Sequence, residues 1–292
     1  MRVTQTMLGS MLQSDLQNVQ AQMLQSQQQL ATGHRILQPS DHPVATENVL
    51  QWQAALAQNA QYQTNATDAA SWLSQSQSAL QSAVGLAQKV RTLAVAAGAG
   101  TLTSAERAAI AQQIQSVQAS LMAVANTRVG SHYLFSGEQT ATEPFVSGAA
   151  GVSYAGGSGS IVREIGPGVT VAVNTPGSAF TPVFGAIGQI LSDLGSSSTV
   201  ANVTGSDLSQ LDQALNVLIS AQGQSGAQSQ QVTQAQGQLQ AMTASLQQLR
   251  ASGLDTNVAR TVVQLQELQT SYQSALAVGA QLLQPTLAKY LP

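Results

Sequence analysis

The chain has 292 residues and a formal net charge of −3, and only 8% of its residues are charged although 43% are hydrophobic. So small a charge, carried by scattered basic residues, argues against nucleic acid or an anionic membrane surface as partner, so we expect protein partners. The absence of cysteine excludes disulfides, thiolate metal sites and cysteine nucleophiles.

Targeting signals of the usual kind are not predicted. Residues 1–10 show no basic cluster followed by an apolar core, and no run of eighteen apolar residues occurs. We therefore expect neither a secretory signal peptide nor a membrane span. If the protein leaves the cell, it should use a route that does not read such a signal.

Both ends of the chain carry an apolar stripe that advances in alternating steps of four and three residues. The first comprises Leu12, Leu16, Val19, Met23, Ser26 and Leu30, and the second comprises Val258, Val262, Leu265, Gln269, Tyr272, Leu276, Gly279 and Leu283. Such spacing suits a helix that lies against another helix, so we predict that the two ends pair. Because Ser26 and Gln269 interrupt the stripes, full order is expected only when neighbouring copies pack around the pair. An ordinary bundle whose first and last helices touch would show the same pattern.

A long helix is predicted over residues 44–97. Pro43 suits its first turn, and Asp41 or His42 is the expected cap. Gly98 and Gly100 should end this helix.

A second helix is predicted to follow and to form an antiparallel hairpin with the first. Thr103 and Glu106 have the spacing of a capping box at its start. Its stripe keeps the same alternation of steps through Ile110, Ile114, Val117, Leu121 and Val124. Gly130 should close the hairpin.

Short strands are predicted over residues 133–180, where glycine and alternating β-branched residues become frequent. A short helix and a serine-rich loop should occupy residues 182–204. Helical periodicity then resumes over residues 208–218 and 232–249. After a break at Gly253, Asp255 or Thr256 is the expected cap of the last helix.

These elements predict a mainly α fold with a small β insert. The architecture would be an elongated helical rod or coiled-coil bundle made from both termini, with one β-rich outer domain. Residues 1–42 with 255–292 would form a terminal coiled-coil stalk, residues 43–132 with 205–254 a helical rod domain, and residues 133–204 the β-rich insert.

No constellation in the sequence predicts catalysis, a cofactor or a metal. His34, His42 and His132 lie in breaks between elements without metal-ligand spacing. The glycine-rich residues 148–159 contain no lysine and precede strands, so they are typical of hairpin turns and not of a phosphate site. Trp52 and Trp72 are expected to be packing residues.

Two segments resemble a known family. Residues 30–45 resemble the N-terminal signature of the bacterial flagellin superfamily, and residues 125–137, ahead of Pro144 and Phe145, are similar to the branch that joins the flagellar hook to the filament. The C-terminal runs 272–276 and 285–291 are similar as well. The residues that carry the resemblance are Gly33, Arg35, Pro39, Ser40, Asp41, Pro43, Asn126, Arg128, Tyr133, Phe135 and Gly137.

The resemblance implies a flagellin-like, structural, non-enzymatic protein. It would be exported unfolded by the flagellar type III apparatus and assembled, outside the cell, as a ring of copies between another hook-associated protein and the flagellin filament. A cytosolic export chaperone would recognise the C-terminal amphipathic segment. The termini would form an inner tube through an assembly interface of Leu12, Leu16, Val19, Met23, Leu30, Val258, Val262, Leu265, Tyr272, Leu276 and Leu283.

The chain departs from the family pattern at a few positions. His42 stands where the family usually has an acidic residue, Asn257 replaces an expected aromatic, and Ala288 with Lys289 alters the closing motif. Two other functions stay open, a flagellin subunit of the filament itself and a cytosolic coiled-coil adaptor.

Overall fold

The computed structural model describes residues 5–98, 102–148, 151–196 and 199–283. The helices are α1 (Gln5–Thr32), α2 (Pro43–Ala97), α3 (Ser104–Ala125), α4 (Thr181–Leu194), α5 (Val200–Asn202), α6 (Leu208–Leu254) and α7 (Val258–Leu283). The strands are β1 (Arg128–Val129), β2 (His132–Tyr133), β3 (Phe145–Gly148), β4 (Gly151–Tyr154), β5 (Val162–Gly166) and β6 (Val169–Ala172). A 3₁₀ turn covers Gly177–Ala179 and a π-helix covers Val203–Asp207. The predicted class, mainly α with a small β insert, is confirmed.

The chain forms two compact units. One comprises Met1–Gln58 with Thr243–Pro292, and the other comprises Asn59–Met242. Helices α2 and α6 each contribute residues to both units. This division does not follow the three predicted domains, whose boundaries stay a prediction.

Helix α3 starts with the capping box that the sequence predicts. The Thr103 hydroxyl accepts a hydrogen bond from the Glu106 N–H at 3.3 Å, and Glu106 Oε2 accepts one from the Thr103 N–H at 2.8 Å. The bonds that Thr103 donates favour the ionised carboxylate and lower the pKa of Glu106. The end of α2 at Ala97 also agrees with the prediction, although Gly100 lies outside the described residues.

Helix α6 is a single element of 47 residues, whereas the sequence predicted two separate helical runs. Gly223, Gly226 and Gly237 weaken the helical pattern, at a cost of about 1 kcal/mol each relative to alanine. The same helix buries Leu218 and Val232 against the core. Because tertiary packing supplies most helical stability, burial offsets the glycine cost and the helix continues.

The second unit has two apolar clusters. The larger joins residues of α2, α3, α4 and α6 with aromatic side chains from the β-rich stretch. Phe135 contacts Phe180 with ring centroids 4.8 Å apart, and Phe145 contacts Phe184 at 5.2 Å. The smaller cluster consists of Tyr62, Ala66, Ala69, Leu73, Ile165, Val171, Val173, Val232 and Leu239.

The strands form three separate antiparallel hairpins, β1–β2, β3–β4 and β5–β6, and each hairpin has only two strands. A hairpin of two strands is marginally stable alone, so its attachment to the helices matters. Phe145 of β3 is buried in the larger cluster, and Ile165 with Val171 of the third hairpin is buried in the smaller one. The β-rich stretch is therefore held by the helical core of its unit.

Candidate assembly interface

Helices α1 and α7 pack against each other within the first unit. The stripe predicted on α1 lies at this contact, because its residues are partly buried and its polar member Ser26 is buried with them. The partly buried members are Leu12, Leu16, Val19, Met23 and Leu30. By contrast, Met7, Met11 and Leu24 on other sides of α1 are exposed.

Helix α7 uses a different line of side chains from the one that the sequence predicted. Leu265, Tyr272 and Gly279 of the predicted stripe belong to the observed line, but Val258, Val262 and Leu276 are 57%, 38% and 46% exposed. At 3.6 residues per turn, the two lines are offset by roughly 50° about the helix axis. The predicted position of the α7 stripe against α1 is therefore wrong. The observed line is Thr261, Leu265, Leu268, Tyr272, Ala275 and Gly279.

The offset has a steric cause. A Cβ atom at Gly279 would lie 2.5 Å from Leu12 Cδ2, so the α7 backbone approaches the α1 side chain closely at this point. Ala275, one turn earlier on the observed line, is also small. If Leu276 of the predicted line faced α1 instead, its larger side chain would hold the two helices apart. Ala275 and Gly279 are four positions apart and share a helix face with Leu268. This pair of small residues was the sequence signal that could have located the α7 contact with α1.

Polar groups at the helix pair are hydrogen-bonded. Gln20 Nε2 donates to the Tyr272 hydroxyl at 2.8 Å, a bond that links α1 to α7 across 252 positions of sequence. The hydroxyl of Thr261, which is buried, donates to the Asn257 carbonyl at 3.0 Å within α7. The bond between Gln20 and Tyr272 helps to set the register of the pair, because it requires these two residues to lie opposite each other.

The outer surface of the helix pair is nearly uncharged, and it exposes several apolar side chains among many glutamines and serines. Asp15, Arg260 and Glu267 are the only charged residues of α1 and α7. A surface of this kind is typical of protein contacts and does not repel an identical copy. We call its exposed members the outward apolar residues: Met7, Met11, Leu24, Val258, Val262, Val263, Leu276 and Val278. The Leu283 side chain and the closing motif at 285–291 lie outside the described residues.

The segments that follow α1 and precede α7 pair through their backbones. The Arg35 N–H donates to the Leu254 carbonyl at 2.7 Å, and the Thr256 N–H donates to the Gly33 carbonyl at 2.9 Å. Gly33 has φ +73°, a left-handed conformation that suits glycine at the end of a helix. The chain therefore leaves α1 and enters α7 through one small antiparallel bridge.

Side chains reinforce this bridge. Arg35 Nη2 donates to the Gly253 carbonyl at 3.1 Å. His34 is paired with Asp255 in the bridge, and His34 Nδ1 lies 3.6 Å from Asp255 Oδ1. Gly33 and Arg35, two residues of the family motif, thus hold the two terminal segments together.

Of the two residues predicted as the cap of α2, Asp41 or His42, the structure places His42 at the cap position. Asp41 does not cap α2, because its Oδ2 accepts hydrogen bonds from the N–H groups of Leu37 and Gln38 at 3.2 and 3.0 Å and so closes the preceding loop. The His42 carbonyl accepts from the Thr46 N–H at 2.9 Å, so His42 occupies the cap position. Pro39 and Ser40 are exposed in the closed loop, and Pro43 begins α2 as predicted.

Asn257 begins the first turn of α7, not Asp255 or Thr256 as predicted. Its Oδ1 accepts a hydrogen bond from the Arg260 N–H at 3.1 Å, which is the usual geometry of an asparagine N-cap. The residue that departs from the family pattern therefore has a clear structural role in this chain.

The 126–137 motif joins α3 to the β-rich stretch. Asn126 Nδ2 donates to the Phe145 carbonyl at 2.8 Å, and Asn126 Oδ1 accepts from the Phe145 N–H at 3.0 Å, so one side chain satisfies both backbone groups. Asn126 Nδ2 also lies 2.9 Å from Glu143 Oε1. The guanidinium of Arg128 lies 4.6 Å from the centre of the Tyr133 ring, a cation–π contact.

The end of the same motif is buried by close backbone contact. Phe135 is fully buried, and Gly137 has φ +66° with no room for a Cβ atom beside the Gly157 carbonyl. The Tyr154 hydroxyl donates to the carbonyl oxygens of Phe135 and Gly157, at 3.0 and 2.7 Å. Burial raises the pKa of Tyr154, so it stays a neutral donor.

The functional geometry that the structure shows is one of pairing and packing. In the described part of the chain, no group of three or more histidine and carboxylate side chains could hold a metal ion. His132 Nδ1 lies 2.9 Å from Thr140 Oγ1. Across those same residues, every helix is too short or too polar to cross a membrane.

Comparison with known proteins points in one direction. Residues 3–140 match the bacterial flagellin N-terminal helical region. The chain is 31% identical over 179 residues to flagellar hook-associated protein 3 of Salmonella typhimurium, which is 61% of this chain and 56% of that protein. It is 32% identical over 166 residues to flagellar hook-associated protein 3 of Escherichia coli, which is 56% of this chain and 52% of that protein. The chain thus spans about half the length of these relatives, whose name is that of a flagellar protein and not of an enzyme.

A solved structure shows the same fold. FlgL of Xanthomonas campestris superposes with a TM-score of 0.63 at 18% identity, over 68% of this chain and 99% of that one. The flagellin region, the sequence similarity and the shared fold agree with the motifs at residues 30–45 and 125–137. Residues 3–140 are therefore similar to the bacterial flagellin N-terminal helical region, and the chain is similar in sequence to flagellar hook-associated protein 3.

Proposed function

We propose that this protein is a structural component of the bacterial flagellum and forms the junction between hook and filament, outside the cell. The observation that carries the proposal is the pairing of α1 with α7, which leaves the outward apolar residues on a surface with only three charged side chains. The relatives named for the flagellar hook support the same location.

The resemblance to hook-associated proteins implies that the assembly is a ring of copies, and the energetics of burial agree with contacts to more than one neighbour. Full burial of one exposed valine, leucine or methionine contributes about 1.5–3 kcal/mol. Association costs about 4–15 kcal/mol in lost freedom of motion. Several outward apolar residues per copy must therefore be buried together, which happens when neighbours pack on both sides of the helix pair.

The resemblance to hook-associated proteins supplies the remaining partners. On the hook side we place another hook-associated protein, and on the distal side the flagellin filament. Export proceeds through the flagellar type III apparatus, with a cytosolic chaperone that covers the exposed face of α7, including Val262 and Leu276.

The test replaces the outward residues of α7 by charged ones. In a strain that lacks this protein, the double variant Val262→Asp with Leu276→Asp should fold but should be absent from purified flagella, and cells should not swim. The matched control, Ser274→Asp with Gln281→Asp, adds the same charge at exposed polar positions of the same helix and should support swimming. Normal incorporation of the first variant would refute the proposal.

Copy number separates the junction role from that of a filament subunit. A junction protein should be present in purified flagella in few copies relative to flagellin, whereas a filament subunit would be the dominant protein. Appearance of the protein in the medium of a mutant that cannot complete filaments would exclude a cytosolic adaptor.

A further inference from the structure

Two buried carboxyl groups lie at the corner where α4 leads through α5 and the π-helix into α6. Asp193, in the last turn of α4, is 6% exposed, and Asp207, at the end of the π-helix, is 1% exposed. Ser206 Oγ donates to Asp207 Oδ1 at 3.0 Å, and Asn202 Nδ2 lies 3.4 Å from Asp193 Oδ2. Among the described residues, Asp207 Oδ2 is buried without a donor.

Two ionised carboxylates in this position would be costly. A buried charge without a partner loses the hydration that stabilises it in water, and two like charges add repulsion. Two ionised carboxylates can only accept hydrogen bonds, so neither can donate to the other. If one of them is protonated, its O–H group can donate to the other carboxylate. Burial, followed by the neighbouring Asp193, raises the pKa of Asp207, as expected if the closed corner retains that proton.

Of the charged groups on the surrounding helices, Arg91 and Glu106 have other partners, whereas Arg107 Nε is buried without a partner among the described residues. Arg91 of α2 binds Asp212 of α6 at 2.7 Å, and Arg107 Nη1 of α3 donates to the Leu102 carbonyl at 2.8 Å. Glu106 is engaged in the capping box of α3. Asp193 is the neighbouring titratable group that raises the pKa of Asp207, after burial as the larger cause.

The backbone at the corner is irregular and closely packed. Residues Val203–Asp207 form a π-helix, a conformation that is rare and often found at functional sites. There is no room for a Cβ atom at Gly98 beside the Thr204 side chain, so the end of α2 closes directly over the π-helix. Because the corner is closely packed, two repelling carboxylates cannot move apart within it. Their repulsion would instead favour local opening of the corner.

We propose that Asp193 and Asp207 share one proton and act as a pH-dependent clasp, closed while the proton is held and opened when it is lost. The clasp would control how tightly the end of α4 is held against the π-helix that leads into α6. It depends only on the second unit and not on the proposed place of the protein in the flagellum.

The direction of the effect follows from proton linkage. In the open corner both aspartates are hydrated and ionised above their ordinary pKa, so opening releases one proton. The opening constant should rise about tenfold per pH unit between the ordinary and the raised pKa of Asp207, and then level off. Stability of the corner is thus highest at low pH and is lost as the pH rises through the raised value.

Amide hydrogen exchange of the full chain tests the clasp. Opening constants for residues 193–210, corrected for the intrinsic pH dependence of exchange, should increase between pH 5 and pH 8 in the wild type, while those of α3 should not. Asp207→Asn replaces the shared proton by an amide donor and should remove this pH dependence. Asp212→Asn, on the same helix but exposed, should retain it.

An infrared measurement on the wild type tests the proposal even if Asp207→Asn fails to fold, and a Ca²⁺ titration tests whether the corner is a cation site instead. The wild type alone should show an infrared band of a protonated, buried carboxylic acid that persists above the ordinary pKa of an aspartate and disappears on alkaline titration. Absence of this band, or equal pH dependence in the wild type and Asp207→Asn, would overturn the proposal. Stabilisation of the corner by added Ca²⁺ at pH 8, with no shared proton, would instead identify a cation site and would also overturn it.

Discussion

Asn126 is the side chain whose removal should cost the second unit most for its size. In Asn126→Ala, the N–H and the carbonyl of Phe145 both lose their partner, and Phe145 is only 1% exposed. Each buried backbone group left without a hydrogen bond costs about 1–3 kcal/mol. We therefore expect the free energy of unfolding of this unit to fall by about 2–6 kcal/mol.

The assay is urea unfolding of the full chain followed by tryptophan fluorescence in a Trp52→Phe background. Because Trp52 belongs to the first unit and Trp72 to the second, the remaining signal reports the unit that contains Asn126. Asn126→Asp keeps the acceptor and loses the donor, so it should lose roughly half as much. Glu143→Gln, which changes only an exposed partner of Asn126, should stay within about 0.5 kcal/mol of the wild type.

A loss of less than about 0.5 kcal/mol in Asn126→Ala would refute this reasoning. It would mean that the Phe145 backbone groups find other partners once the amide is gone. Amide exchange of the Phe145 N–H would then show continued protection in the variant, which gives an independent check.

Two further predictions address the family motif and the helix pair. Gly137→Ala should destabilise the second unit by more than Gly168→Ala, because both glycines have a positive φ but only Gly137 would place a Cβ atom against the Gly157 carbonyl. The difference in the free energy of unfolding should exceed about 1 kcal/mol in urea. Equal losses would contradict the steric argument. Leu268→Ala should weaken amide protection in α1 by about 1–2 kcal/mol, whereas the exposed Val262→Ala should leave it within about 0.5 kcal/mol. The reverse order would restore the stripe predicted from the sequence.

Local signals were readable from the sequence where they depend on neighbours in the chain. The capping box of Thr103 and Glu106, the first turn at Pro43 and the end of α2 near Gly98 all follow from residues within one turn of each other. The α1 stripe could also be predicted, because Met7, Met11 and Leu24 do not form a competing stripe of the same spacing.

The stripe of α7 could not be located in the same way. Leu265, Tyr272 and Gly279 fit two overlapping lines, one through Val262 and Leu276 and one through Leu268 and Ala275. Periodicity alone favours the line with the larger apolar residues. The choice depends on how closely α1 approaches, and the small residues of α7 decide that distance.

Capping and loop closure show the same limit on a smaller scale. Asp41, Asp255 and Asn257 are all competent cap residues, and their order in the sequence does not say which carboxylate or amide faces which N–H group. In the folded chain, Asp41 turns back to its own loop, Asp255 is held by the bridge to His34, and Asn257 is left to cap α7.

By itself the sequence determined the helical character, the position of the β-rich stretch and the resemblance to flagellin-like proteins, because these depend on periodicity, turn residues and local motifs. Only the tertiary structure decided which face of α7 meets α1, that Asn126 satisfies the backbone of Phe145, and that Asp193 and Asp207 are buried together. The reason is that these contacts join residues far apart in the chain. Their geometry depends on the close packing of whole elements, which no local pattern encodes.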